Sequence, residues 1–186
     1  KVDQLSCNAP HDISNALAAA AAAIHSGADL GAIKETLRTF KHLPHRIELV
    51  AEDHGILWYN DSKSTSPHSV IAAVKNFNKV VLIMGGRNKG LDLKIIETVL
   101  DRLEHLIVIG EAAQELTEIF SQKVKVSPAF SMQEATEKAY ELSSDCGVVL
   151  LSPGCTSFDW YGNYEERGTD FKERVRELIE ENHVNH

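Results

Sequence analysis

Lys79-Val80-Val81-Leu82-Ile83-Met84-Gly85-Gly86 is the stretch that decides the fold. An apolar run that stops at two glycines reads as a strand buried on both faces with a tight turn beyond it. His105-Leu106-Ile107-Val108-Ile109 and Gly147-Val148-Val149-Leu150-Leu151 have the same character, and a shorter strand is expected at 124–127. Helical spacing of apolar residues fills the intervals, at about 93–102, 111–121 and 131–143. It returns at 169–182, where Phe171, Val175, Leu178 and Ile179 share a face. Strands that are apolar throughout and joined by helices form a mostly parallel sheet covered on both sides, so the class is α/β.

Upstream of this core, Ile47 to Glu52 alternates, and His54-Gly55 turns the chain into Ile56 to Tyr59. That pattern predicts an N-terminal β-hairpin. Ser66-Pro67 opens a helix running to about Phe77, with Pro at the first helical position. Leu43-Pro44 breaks the pattern before it, and a domain boundary is expected near 41–46. Earlier still, a helix is predicted at 12–25, with Asp12 as its cap and Ile13, Leu17, Ala20, Ala21 and Ile24 on one face. Ser26-Gly27 ends it, and a second helix at 31–40 is expected to bury Leu30, Ile33, Leu37 and Phe40. Two helices without a strand make no core alone, so this segment is expected to complete a larger domain. The chain opens at Lys1 and reads as cut from a longer one.

The 186 residues are 43% apolar and 25% charged, with a formal net charge of -8. No Lys/Arg run stands out, which argues against a nucleic-acid partner. Any anionic substrate must be gripped by a few placed cations against an opposing overall field. Cys7, Cys146 and Cys155 form no C-x-x-C pair, and an odd count without a framework fits a reducing compartment. The apolar run from Ala16 to Ile24 is too short to span a bilayer, so no membrane partner is expected. No H-E-x-x-H spacing occurs; His11 and His45 read as structural, and no metal site is expected.

In open parallel sheets, ligands bind outside the carboxyl ends of the strands. Beyond the hairpin comes Asn60-Asp61-Ser62-Lys63-Ser64-Thr65, which brings a cation and hydroxyls to a helix start that already favours anions. Beyond the next strand, Gly85-Gly86-Arg87-Asn88-Lys89-Gly90 fits neither G-x-G-x-x-G nor the Walker pattern, yet Lys89 can reach a carboxylate or phosphate. Beyond the last core strand lie Ser152-Pro153-Gly154-Cys155-Thr156-Ser157-Phe158-Asp159 and Asn163-Tyr164-Glu165-Glu166-Arg167-Gly168. Ser157 has no His beside it in sequence and is not read as a nucleophile.

Taken in order, these motifs resemble those of the Mur ligases. His11-Asp12-Ile13-Ser14-Asn15-Ala16 is similar to the family's H-N-x-x-N-A, and Leu43-Pro44-His45-Arg46 to its L-P-H-R. The Asn60–Thr65 motif is similar to N-D-S-K-A-T, and the two motifs after the last strand to S-P-A-C-A-S-F-D and N-F-E-x-R-G. Lys63 and the Ser157-Phe158 pair resemble the D-glutamate-adding type. The resemblance implies that residues 1–45 end a central ATPase domain, as a two-helix remnant, and that 46–186 form a Rossmann-like C-terminal domain.

It further implies ATP-dependent ligation of D-glutamate to UDP-N-acetylmuramoyl-L-alanine through an acyl phosphate, in peptidoglycan precursor synthesis in a bacterial cytoplasm. Lys63, Thr65, Lys89, Ser157, Phe158 and Tyr164 would bind D-glutamate; Asn15, Arg46 and Asp61 would contact the nucleotide; Arg46 and Lys63 would act in catalysis. ATP and Mg²⁺ are implied, with the metal ligands outside these residues, and the intact enzyme is expected to be a monomer. The chain has no G-T-N-G-K-[ST] loop and is expected to be inactive alone. Another ligase of the Mur and folylpolyglutamate synthetase superfamily, or a non-catalytic Rossmann-like binding domain, is the alternative.

Overall fold

The computed structural model describes residue 5 and residues 10–40, 43–143 and 146–184. Cys7 lies outside them, as do the side chains of His11 and Asp12. The chain divides into two compact units, Lys1–Leu43 and Pro44–His186.

The first unit contains α1 (Pro10–His25) and α2 (Leu30–Thr39). Because α1 starts at Pro10, Asp12 lies in its first turn and is not its cap. Gly27, at φ 83°, ends the helix, and the Ala28 amide bonds back to Ala23 O at 3.0 Å. Asp29 caps α2 by accepting from the Ala32 amide at 3.0 Å. The expected burial along α2 is not met within this unit: Leu30 is 67% and Phe40 48% exposed, while Ile33 and Leu37 are half-buried. A helix pair has no further layer to cover those faces.

In the second unit the described residues form a six-stranded sheet. Its strands are β1 (Glu48–Asp53), β2 (Ile56–Asn60), β3 (Val80–Gly85), β4 (Leu103–Ile109), β5 (Val126–Ala129) and β6 (Val148–Gly154), in the order β1-β2-β6-β3-β4-β5. β1 and β2 form the expected hairpin, and all other pairings are parallel. His54 (φ 47°) and Gly55 (φ 81°) both take left-handed conformations, the requirement of a type I′ turn.

Every residue of β3 is buried, and the pleat divides its side chains between two cores. Leu82 and Met84 pack with Val70, Ile96, Leu116 and Phe120 on one face; Val81 and Ile83 pack with Trp58, Met132, Phe171 and Val175 on the other. The first face is covered by α3 (Pro67–Val74), the segment Leu93–Arg102 and α4 (Ala113–Phe120). The second is covered by α5 (Met132–Leu142) and α6 (Tyr164–Val184).

α3 stops at Val74, short of Phe77, and β5 lies two residues later than expected, while two other elements differ more in kind or extent. Leu93–Arg102 is a 3-10 helix, and its buried residues Leu93, Ile96 and Val99 recur every third position, which suits three residues per turn. The last helix starts at Tyr164, five residues before the expected 169. Asn163 Oδ1 accepts from the Glu166 amide at 2.8 Å, and the Glu166 carboxylate reaches back to the Gly162 amide at 2.8 Å. Polar capping of this kind leaves no trace in an apolar period.

Phe171 is fully buried at the centre of the second core. Phe171→Ala is expected to lower unfolding free energy by about 3–5 kcal/mol in urea titrations. A loss below about 1 kcal/mol would remove that ring from the core.

Candidate functional site

β2, β6 and β3 are neighbours in the sheet, and their carboxyl ends release three loops on one edge. The loops are joined by backbone. The Gly154 amide donates to Ser64 O at 2.8 Å, tying the third loop to the first. Arg87 and Thr156 form an antiparallel bridge, with N–H···O distances of 2.9 and 3.1 Å, tying the third to the second. Glycine is required at this crossing: a Cβ on Gly86, at φ 121°, would stand 2.3 Å from Thr156 O.

Arg167 is the charge beneath these loops. It sits in the first turns of α6 and is 1% exposed. Nε donates to Ser62 Oγ at 3.0 Å and Nη2 to Ser62 O at 2.9 Å, while Nη1 and Nη2 both reach Cys155 O at 3.2 Å. Burial brings its pKa down to about 10, so the guanidinium stays charged at neutral pH. Ser62 Oγ donates in turn to Tyr164 O at 2.8 Å.

Asn60, fully buried at the end of β2, makes the second junction. Its Oδ1 accepts from the Ser62 amide at 3.1 Å, and Nδ2 lies 2.9 Å from His45 Nδ1 and 3.3 Å from Gly168 O. Burial first, then the Lys172 charge, lowers the His45 pKa, which keeps Nδ1 free to accept. A side chain on Gly168 would put Cβ 2.2 Å from that Nδ1, so the close approach of α6 requires glycine there. Asn60, Arg167 and Gly168 lie within the sequence motifs, but these roles show only in burial, which a motif does not carry.

The expected amino-acid-binding residues all lie on these loops or at the start of α6. Lys63 Nζ donates to Tyr164 Oη at 2.9 Å and stands 4.7 Å from that ring's centroid. Lys89 Nζ stands 5.1 Å from the centroid of Phe158, an exposed ring. Thr65 is half-buried and Ser157 buried, the Ser157 carbonyl accepting from the Trp160 and Tyr161 amides at 3.2 and 2.9 Å. Among the described residues no hydrogen bond or ring contact joins the Lys63–Tyr164 pair to the Lys89–Phe158 pair. Cys155 is 1% exposed and burial pushes its thiol up to about 12, which rules it out as a nucleophile at neutral pH.

Of the expected nucleotide residues, one lies in the first unit and two in the second. Asn15 is exposed on α1, in the first unit. Arg46 is exposed in the second, between His45 and Ile47, whose φ values are 63° and 46°. Asp61 is 2% exposed and turned inward: Oδ1 accepts from the Ile47 amide at 3.3 Å and Oδ2 from Ser152 Oγ at 2.8 Å. At that exposure the carboxylate offers a ribose no open face in this conformation. A groove of about 520 Å³, lined by Lys79, Leu100, Glu104, Lys123 and Lys125, lies at the amino ends of β3 and β4, away from the strand-end loops of this unit.

Burial raises the Asp61 pKa to about 6 from 3.8, against the opposing pull of its hydroxyl and amide donors. The folded state therefore binds the extra proton more readily than the unfolded one. Stability from this group is greatest below its unfolded value, is lost as pH rises toward about 6, and is flat above. Asp61→Asn, which keeps the shape, is expected to remove that decline. Urea titrations at about pH 5 and pH 7 check it: a difference between the two pH values as large in the variant as in the parent contradicts the assignment.

Residues 45–155 match the glutamate ligase domain of Mur ligases. The chain is 45% identical over 167 residues to the UDP-N-acetylmuramoylalanine–D-glutamate ligase of Chlorobium phaeobacteroides, covering 89% of this chain and 36% of that protein. It is 41% identical over 184 residues to the enzyme of that name from Caldanaerobacter subterraneus, covering 96% of this chain and 41% of that one. It thus spans well under half the length of these relatives. Among solved structures, a pseudomurein peptide ligase type C from Methanothermus fervidus superposes with a TM-score of 0.69 at 19% identity, over 94% of this chain and 37% of its own. At that identity the superposition speaks for the fold, whereas the match across residues 45–155 speaks for descent: the chain belongs to the Mur ligase family and carries its glutamate ligase domain.

Proposed function

We propose that this domain serves an ATP-dependent ligase that joins D-glutamate to UDP-N-acetylmuramoyl-L-alanine, a step of bacterial peptidoglycan precursor synthesis in the cytoplasm. The observation that carries the reading is the pair of lysines on two of the three loops at one sheet edge, each beside an aromatic ring. Two relatives above 40% identity bear the D-glutamate ligase name and support the choice of amino acid.

D-Glutamate brings two carboxylates, and its amine must stay free to attack. Lys63 and Lys89 supply the two positive charges, Thr65 and Ser157 supply hydrogen bonds, and Phe158 and Tyr164 wall the amino acid. Lys63 spends one of its three N–H donors on Tyr164 Oη, leaving the others for a carboxylate. The acceptor substrate's carboxylate takes the γ-phosphoryl of ATP, giving an acyl phosphate; the amine adds to its carbonyl, and phosphate leaves. Positioning and charge carry most of such a reaction.

Arg46 and Asn15 are proposed for the nucleotide, with Asp61 acting through the Arg46–Ile47 backbone that it fixes. Among the described residues, the one cluster able to ligate a cation is Asp53, His54 and His183, at the hairpin end of the sheet. No described residue is assigned to the Mg²⁺ of the reaction, and no step is routed through it. The chain contains no phosphate-binding loop of the G-T-N-G-K-[ST] kind, and by itself is proposed not to turn over.

A full-length enzyme offered D-glutamate, L-glutamate, L-lysine and diaminopimelate is expected to use D-glutamate; preference for another amino acid overturns the substrate reading. In that enzyme Lys63→Ala is expected to raise the D-glutamate KM about tenfold or more, from loss of a charge-assisted contact of roughly 1.5–3 kcal/mol. An unchanged KM removes Lys63 from the site. Arg46→Lys keeps the charge and loses the planar fork, so kcat is expected to fall; parental turnover refutes that role.

A further inference from the structure

At the pole opposite the ligation loops, three potential metal ligands from two distant parts of the chain converge. Asp53 ends β1, His54 is the first residue of the hairpin turn, and His183 lies in the last turn of α6. Asp53 Oδ1 lies 2.8 Å from His183 Nε2 and 3.8 Å from His54 Nε2. One donor atom from each residue falls within 4.8 Å of the others, and the two imidazoles meet edge to face with centroids 5.6 Å apart.

A second observation points the same way. Asp53 is 7% exposed, and its other oxygen, Oδ2, is buried without a hydrogen-bond partner. A buried carboxylate with an idle oxygen is costly unless a cation or donor meets it. His183 serves Oδ1 with a single contact, whereas a divalent cation drawn to the carboxylate offsets the charge that both oxygens share. Both imidazoles, by contrast, are more than half exposed and open to an arriving ion.

We propose that Asp53, His54 and His183 form a binding site for a divalent transition metal, with Zn²⁺ as the fitting ion. Two imidazole nitrogens and one carboxylate suit zinc, whereas Mg²⁺ and Ca²⁺ prefer all-oxygen shells. Zinc bonds of about 2.0–2.2 Å set neighbouring ligands about 3.3–3.5 Å apart in a tetrahedron. The observed 2.8 and 3.8 Å from Oδ1 to the two imidazoles bracket that spacing, and all three donor atoms lie within 4.8 Å of one another, within reach of side-chain rotation onto one ion. The fourth position faces solvent and takes water. The bound ion ties the hairpin turn to the end of α6, whose opposite end carries Tyr164 and Arg167. Its part is structural, clamping at one end the helix that Arg167 fastens at the other.

The test uses the 186-residue chain, stripped with a chelator and titrated calorimetrically with ZnCl2 and, separately, MgCl2. One saturable zinc site and a rise in melting temperature with zinc alone are expected. His54→Asn and His183→Gln should each weaken zinc binding at least about tenfold. Asn tolerates the left-handed backbone at position 54, and His54 meets Asp53 only at 3.8 Å, so the first variant leaves the apo fold intact. The variants also separate this site from the other histidines and the cysteines. Absence of saturable zinc binding, equal binding of Mg²⁺, or parental zinc affinity in either variant overturns the proposal.

Discussion

The arrangement of the candidate site depends on one buried cation. Arg167 carries its charge into a region almost without solvent, where an unsolvated ion costs several kcal/mol. Its hydrogen-bond partners are Ser62 and Cys155, one hydroxyl and two carbonyl oxygens from two different loops, and the Asp159 charge adds attraction. A planar fork with donors fixed in direction can satisfy both loops only if they stand in one relation to each other. The guanidinium thus specifies the geometry of the strand ends at the expense of its own solvation.

The rest of the edge follows from that fixed relation. Gly86 and Gly168 are where the backbone of the second loop and of α6 approach too closely for a side chain. Asn60 and His45 fill the remaining space, bonded to each other and to the Glu48 carboxylate, and burial lowers the His45 pKa so that no second cation is added there. On this frame the two lysines are left at the surface, Lys89 exposed and Lys63 half-buried, each lying on an aromatic ring. The division is physically sensible: the cation that shapes the site is inside, and those proposed to meet substrate remain hydrated and able to move. For a chain with a formal charge of -8, such local cations are the means by which an anionic ligand would be drawn to this edge.

Much of the scaffold is readable from local pattern. The all-apolar run at Val80–Met84 can be little else than a central strand, and it is buried along its whole length. His54-Gly55 marks a tight hairpin, and Ser66-Pro67 a helix start whose cap forms as expected, Ser66 accepting from the Ser69 amide. Apolar periodicity fails where polar groups set the boundary. The early start of α6 is written in Asn163 and Glu166, and the start of α2 in Asp29. It also fails along α2, where an amphipathic stripe indicates a face to be covered but not whether this chain covers it.

The sequence by itself determined the order of strands and helices along the chain and the motifs at the strand ends, because these depend on residue spacing and backbone preference over a few positions. Only the tertiary structure decided which motif residues face inward. Asp61 and Arg167 are charged residues that sequence reading leaves at a surface, yet both are almost wholly buried. Nor does any local pattern bring His183 to Asp53 across 130 residues. Solvation and long-range contact belong to the packed chain as a whole, so residues of one type in one motif can end as substrate ligand or structural bolt.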